Sequence, residues 1–173
     1  IIGLTVNEGG ANSGSNFFIA RYDDAGSYLG NYLYGQRSNG FVVVGNTTAT
    51  EQLNVGGNVK ADTFFSLANT YPDYVFENYF EEKSEINPTY KFKSLKETEK
   101  FIKENRHLPG VTPINKLDVI NQKYKVDVSS TSIKNLEKIE ELYLHLIEMN
   151  KKNEELSNQN QDLKEKLLLL EER

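Results

Sequence analysis

The apolar positions along this chain follow two different periods. In "NFFIARYDDAGSYLGNYLYG" (16–35), short runs of Phe, Ile and Tyr are broken by Asp-Asp-Ala-Gly and Leu-Gly-Asn. Aromatic and β-branched runs bounded by such residues predict strands and turns. In "VVVGNTTATEQLNVGGNVKADTF" (42–64), Val42, Val43, Val44, Leu53, Val55, Val59 and Phe64 alternate with Gly, Asn and Thr. This stretch predicts further short strands. Turn signals recur about every ten residues, too closely for βαβ crossovers, so the sheet is expected to be antiparallel or helically wound. So few large aliphatic residues make a thin core for one chain, and the strand edges need cover. Strand partners in other chains would supply both.

The period lengthens downstream. "KSLKETEKFIKENRHLPGV" (93–111) predicts a helix: Ser94 and Glu97 fit a capping box, and Leu95, Thr98, Phe101 and Ile102 form one face. Asn105 to Gly110 ends it, because Pro109 cannot continue the helix. "PINKLDVINQK" (113–123) predicts a further short helix. Residues 130–173 contain neither Gly nor Pro and predict one long helix, with Ser129, Ser130, Thr131 and Ser132 as N-cap candidates. A heptad runs through it. Its a positions are Ile139, Leu146, Asn153, Asn160 and Leu167; its d positions are Leu142, Met149, Leu156, Leu163 and Leu170. Only the two Asn depart from an apolar core, and Asn at a fixes register at a cost in stability. Before Ile139 the repeat breaks, and Tyr143 and Ile147 widen the stripe, so the head of this helix is expected to pack on the preceding zone as well. The heptads alone leave dimer and trimer open.

The expected architecture is therefore α+β and elongated. A β-rich segment spans 1–68, a small mixed domain 69–128 and a parallel coiled coil 129–173. Composition agrees with a boundary near residue 70: residues 1–70 hold 11 of the 12 glycines and 8 of the 45 charged residues. Hydrophobic content over the 173 residues is 38%, low for a self-sufficient globule. A net charge of −5 argues against a general nucleic-acid binder. No apolar run is long enough to span a membrane. The start at Ile1-Ile2-Gly3 reads as a cut from a longer chain.

Candidate chemistry is sparse. There is no cysteine and there are two histidines, so neither a disulfide nor a metal-spaced cluster is expected, and no cofactor. His107 is expected to cap a helix C-terminus, and His145, at a g position, to line the edge of the coil. "EGGANSGSN" (8–16) is Gly-rich but lacks the spacing that cradles phosphate. The aromatics of "TYPDYVFENYF" (70–80) are expected to form a small core or an inter-chain contact. Tyr28, Tyr32 and Tyr34 are candidate receptor-contact aromatics able to stack on sugar rings; packing between chains is the plainer expectation.

Taken in order, these motifs resemble the C-terminal region of phage tail fibres and tail spikes. "GSNFFIARYDDAGSYLG" (14–30) is similar to a recurrent fibre segment. Residues 42–64 are similar to the strand-turn-strand module that precedes a C-terminal chaperone: Val42–Gly45, then Thr47–Thr50, then Leu53, Val55, Gly57, Val59 and Ala61. "YPDYVFE" with "LKETEKFIKENRHLPGV" and a closing helix resembles a Bacteroidetes fibre-like variant. The resemblance covers residues 14–173. It implies a homotrimer with triangular, intertwined β segments of β-prism or β-helix type, followed by an endosialidase-like intramolecular chaperone that trimerises through its helices. It further implies a host surface glycan or protein as receptor and a location in a virion tail fibre or on a particle surface. In autocleaving members a Ser-Asp-x-x-Leu-Lys motif follows the strand module. Here Ser66 is followed by Leu67, so autoproteolysis with Ser66 as nucleophile is the alternative, not the leading expectation. A bacterial surface adhesin carrying the same assembly module is a further alternative.

Overall fold

A computed structural model describes residues 2–4, 16–45, 48–67 and 70–171. The Gly-rich stretch 8–16 falls outside them except for Asn16. The fold is α+β, and its contacts divide it into two compact units, Ile1–Phe64 and Phe65–Arg173.

The first unit is a five-stranded sheet in the order β1 (Ile2–Leu4), β2 (Phe17–Tyr22), β3 (Tyr28–Gln36), β4 (Phe41–Val44) and β5 (Leu53–Val55). The turns follow from local chemistry. The Asp23 carboxylate accepts from the amides of Ala25 and Ser27, at 3.0 and 2.7 Å, and Gly26 takes φ +84°. These contacts tie the β2–β3 turn through an Asx-type bond. In the β3–β4 loop, Asn39 accepts from the Phe41 amide while Gly40 takes φ +73°.

Three expectations are corrected here. Leu29-Gly30-Asn31 is no turn; it lies inside the nine-residue β3. The register slips between Arg21, which pairs with Gly30, and Tyr22, which pairs with Tyr28, and Gly30 takes φ +118° there, so glycine marks a bulge. Second, β4 and β5 run parallel, Val42 opposite Leu53 and Val44 opposite Val55. Strands of three and four residues are only ~10–13 Å long, so eight residues suffice to return the chain. These strands thus pair within the chain, where partners in other chains were expected. Third, Val59 and Ala61 lie beyond β5 in exposed chain outside any strand.

Among the described residues of this unit, only Ala20, Gly30 and Val43 are buried. Cross-strand pairing puts Phe17, Ile19, Leu33, Val42, Val44, Leu53 and Val55 on one face. Among the described residues, no second layer of the unit covers that face, and Leu53 is 61% exposed.

The second unit contains α1 (Tyr74–Glu81), α2 (Leu95–Asn105), a 3₁₀ turn (Ile114–Lys116), the two-residue strands β6 (Val119–Ile120) and β7 (Lys123–Tyr124), and the 44-residue α3 (Val128–Glu171). The expected helix over 113–123 is replaced by the 3₁₀ turn and a β6–β7 hairpin. Asn121 and Gln122 both take positive φ, as a two-residue hairpin of primed type requires. The capping box of α2 forms as read: the Glu97 amide donates to Ser94 Oγ at 3.3 Å, and the Ser94 amide donates to the Glu97 carboxylate at 2.9 Å. Helix α3 starts earlier than expected and is capped by Asp127 instead of a serine; its Oδ1 accepts from the Ser130 amide at 2.9 Å.

The core of this unit is small. Tyr74, Val75 and Leu144 are buried together, with Tyr79, Tyr90 and Phe92 packed around them. Complete burial of each aliphatic side chain contributes about 2 kcal/mol.

Candidate assembly surface

Helix α3 presents two faces that do different work. At ~100° per residue, Glu137, Glu140, Glu141, Leu144 and Glu148 fall on one side, the b, c and f positions of the heptad. The a and d positions fall on the other. The preceding segments of the unit, as expected, pack on the head of this helix, and they take the first side.

The contact is a row of tyrosine–carboxylate pairs. The Tyr74 hydroxyl donates to Glu137, Tyr90 to Glu141 at 2.8 Å and Tyr79 to Glu148 at 3.1 Å. Lysines close the row: Lys134 and Lys138 lie 2.7 and 2.9 Å from Glu137, and Lys138 lies 2.7 Å from Glu141. Burial pushes the Tyr74 and Tyr90 hydroxyls well above the usual phenol range, and the facing Glu137 and Glu141 push them further. For Glu137, burial favours the neutral acid, but the bonds from Lys134, Tyr74 and Lys138 outweigh it and hold the carboxyl below its ordinary range. Glu140 is different. It is 8% exposed, its Oε2 has no hydrogen-bond partner, and burial, then Asp73, then Glu137 raise its pKa.

Two further devices position this face. The Glu77 carboxylate gathers the chain after α1, accepting from Ser84 Oγ at 2.5 Å and from the amides of Glu85 and Ile86. Asn78 accepts from the Phe92 amide at 2.8 Å, which sets Phe92 against the His145 ring at 4.7 Å. The loop His107–Val111 crosses the Lys134–Glu137–Lys138 cluster at Gly110. A Cβ there would stand 3.3 Å from Glu137 Oε1, and φ is +76°, so both the approach and the backbone call for glycine.

The opposite side of α3 is open. Ile139, Leu142, Leu146, Met149, Leu156, Leu163, Leu167 and Leu170 are all exposed, from 44% at Leu156 to 67% at Leu170. Asn153 and Asn160 are exposed on the same stripe.

The other candidates resolve as follows. His145 is buried beneath Phe92 with Nδ1 3.3 Å from Glu148, so it is a packing residue of the unit and not an open coil edge. His107 does not bond the helix end: its Nδ1 lies 2.9 Å from the Leu108 carbonyl and its ring meets Phe101 edge-on at 5.2 Å. The end of α2 is closed by the Arg106 amide, which donates to the Ile102 carbonyl at 2.8 Å, and by Asn105, whose side chain donates to the Phe101 carbonyl. Tyr28, Tyr32 and Tyr34 are not gathered into one cluster. Tyr28 meets Tyr22 edge-on at 5.7 Å, Tyr32 lies under the Arg21 guanidinium at 5.9 Å, and Tyr34 stands opposite Phe18 and Val43. Ser66 is exposed, and no base stands within hydrogen-bonding distance of it among the described residues. Among those residues no group of three or more His, Asp or Glu side chains is arranged to hold a metal ion, and no helix is long and apolar enough to cross a membrane.

Leu144 was missed from sequence. Its signal was available: leucine at an f position, where a free coil would carry a polar residue. Neither a model of a known protein family nor a curated protein matches the chain.

Proposed function

We propose that this chain is the distal part of a homotrimeric tail fibre, a structural, assembly and host-recognition protein whose C-terminal region acts as a parallel coiled-coil assembly module and intramolecular chaperone. The observation that carries this reading is the division of labour on α3. The rest of the second unit occupies the b/c/f face and leaves the a/d stripe bare over five heptads. Eight exposed apolar side chains in a strict 3.5-residue period call for a second copy, because that period, and not 3.6, keeps one stripe facing a partner helix. The uncovered apolar face of the β sheet is a second surface whose burial calls for other copies. The number three rests on the resemblance to fibre proteins, since Leu at both a and d does not select two strands. The exposed Tyr28 and Tyr32 are the aromatics offered to a glycan or protein receptor on a host surface. The coil brings three sheets to high effective concentration before their slower non-local pairing.

Sedimentation equilibrium tests the reading. The native chain is expected at three times its 19.7 kDa mass, and a Leu156→Asp, Leu163→Asp double variant at one. A native chain that stays monomeric at all concentrations overturns the proposal.

A further inference from the structure

Lys138, at a g position, forms with Lys134, Glu137 and Glu141 the helix wall of a cleft of about 190 Å³, closed by Tyr90, Lys91, Lys93 and Gly110. That volume is below the ~300 Å³ at which pockets begin to take small molecules; it suits a single side chain. Lys91 and Lys93 are exposed and in no salt bridge among the described residues, while the carboxylates of the helix wall, Glu137 and Glu141, are already engaged by Lys134, Lys138, Tyr74 and Tyr90.

In a parallel coil, a g residue faces the e′ residue five positions later on the neighbouring helix. For Lys138 that residue is Tyr143. Tyr143 is 62% exposed in its own chain, beside Ile147 at 45%. Neither belongs to the a/d stripe, and neither packs in the core of its own unit.

Resting on the parallel-assembly reading above, we infer that the lysine-rimmed cleft beside Lys138 is the docking site for Tyr143 of a second copy of this chain. Three arguments converge. Heptad geometry places that ring opposite the cleft in a parallel pairing, whereas an antiparallel one would set e against e′. The chemistry is complementary, because an aromatic face attracts ammonium groups. The area calls for it as well. A stripe from Ile139 to Leu170 is ~47 Å long and ~10 Å wide, so it covers ~500 Å² per helix, less than the ~800 Å² per partner of a stable interface. Seating Tyr143 and Ile147 against the neighbour's cleft adds to that area at the head of the coil. The segment Tyr90–Lys93 then touches two helices, its own and the next.

The chain has no cysteine, so single-cysteine variants report cleanly. Full-length Lys91→Cys and Tyr143→Cys chains are co-expressed and treated with a short bis-maleimide. Covalent dimers are expected from the mixture and not from either variant alone. In parallel, Tyr143→Ser is expected to raise the dissociation concentration about tenfold, while Tyr143→Phe, which keeps the ring, stays near the native value. If the native chain assembles but no cross-chain product forms, or Tyr143→Ser dissociates like the native chain, this contact is wrong and the assembly reading stands. If the native chain does not assemble, both fall.

Discussion

At the residue scale, Glu137 and Glu140 show how one helical turn sets opposite fates for two carboxylates. Glu137 accepts from Tyr74 and two lysines, so it is buried as the anion with its partners present. Removing it leaves Lys138, which is itself 14% exposed, with Glu141 alone, and leaves the buried Tyr74 phenol unpaired. Glu137→Ala is therefore expected to cost about 3 kcal/mol in denaturant unfolding. Glu140 has an orphan oxygen and two acidic neighbours, Asp73 and Glu137. Its folded pKa is raised, so the folded state holds its proton more tightly than the unfolded one. Its contribution is thus most favourable below the ordinary carboxylate range and is lost as pH rises through the folded pKa. Glu140→Gln, isosteric and neutral, is expected to be about 1 kcal/mol more stable than the native chain at pH 7. The gain should vanish in unfolding curves taken below the ordinary carboxylate pKa; an equal gain at both pH values would exclude this cause. Glu137 has the opposite sign: its folded pKa is lowered, so its support is lost as pH falls through that value.

At the element scale, short helices depend on their ends. Helix α2 has no buried residue, so its capping box carries a large share of its stability. Ser94→Ala is expected to cost ~1 kcal/mol and to speed amide exchange through the first turn of α2, leaving α3 protected. The box was legible because it is a contact between residues three apart. The start of α3 was misplaced for the converse reason: Asp127, Ser129, Ser130, Thr131 and Ser132 are all competent caps, and local preference alone does not choose among them. The β6–β7 hairpin was read as helix because Asn-Gln is a weak turn signal beside Asn-Gly, and two-residue strands carry no period.

At the scale of the whole molecule, α3 joins the two tasks of the second unit. Its first turns complete a core with Tyr74 and Val75, and its full length carries the apolar stripe. Truncation after Asn135 removes both Leu144 and the stripe. Insoluble or misassembled product is expected, judged by size-exclusion chromatography and light scattering; soluble trimers from that truncation would refute a nucleating role for the coil. Autoproteolysis has a simple check at this scale too. An intact mass after expression is expected, since Ser66 is followed by Leu67 and not by the Asp of the self-cleaving motif; a cut near residues 60–70 that Ser66→Ala abolishes would favour the autoproteolytic alternative.

What the amino-acid order determined by itself was local: turns where Asp, Asn and Gly answer one another over two to four residues, a capping box three residues wide, and a heptad stripe that repeats along one helix. These depend on chain geometry within a turn or two, which any homologous backbone would share. The tertiary structure decided what is distant. The tyrosine–carboxylate pairs join residues 51, 63 and 69 positions apart. No period announces such contacts, because glutamates on a coiled-coil surface look alike until tyrosines arrive to meet some of them. Likewise β4 and β5 are legible as strands, but their parallel pairing depends on the path the chain takes between them. The stripe on α3 was readable from sequence. That the fold covers the opposite face and leaves this one open was not, because a helix carrying apolar residues on several sides does not say which side its own chain will take.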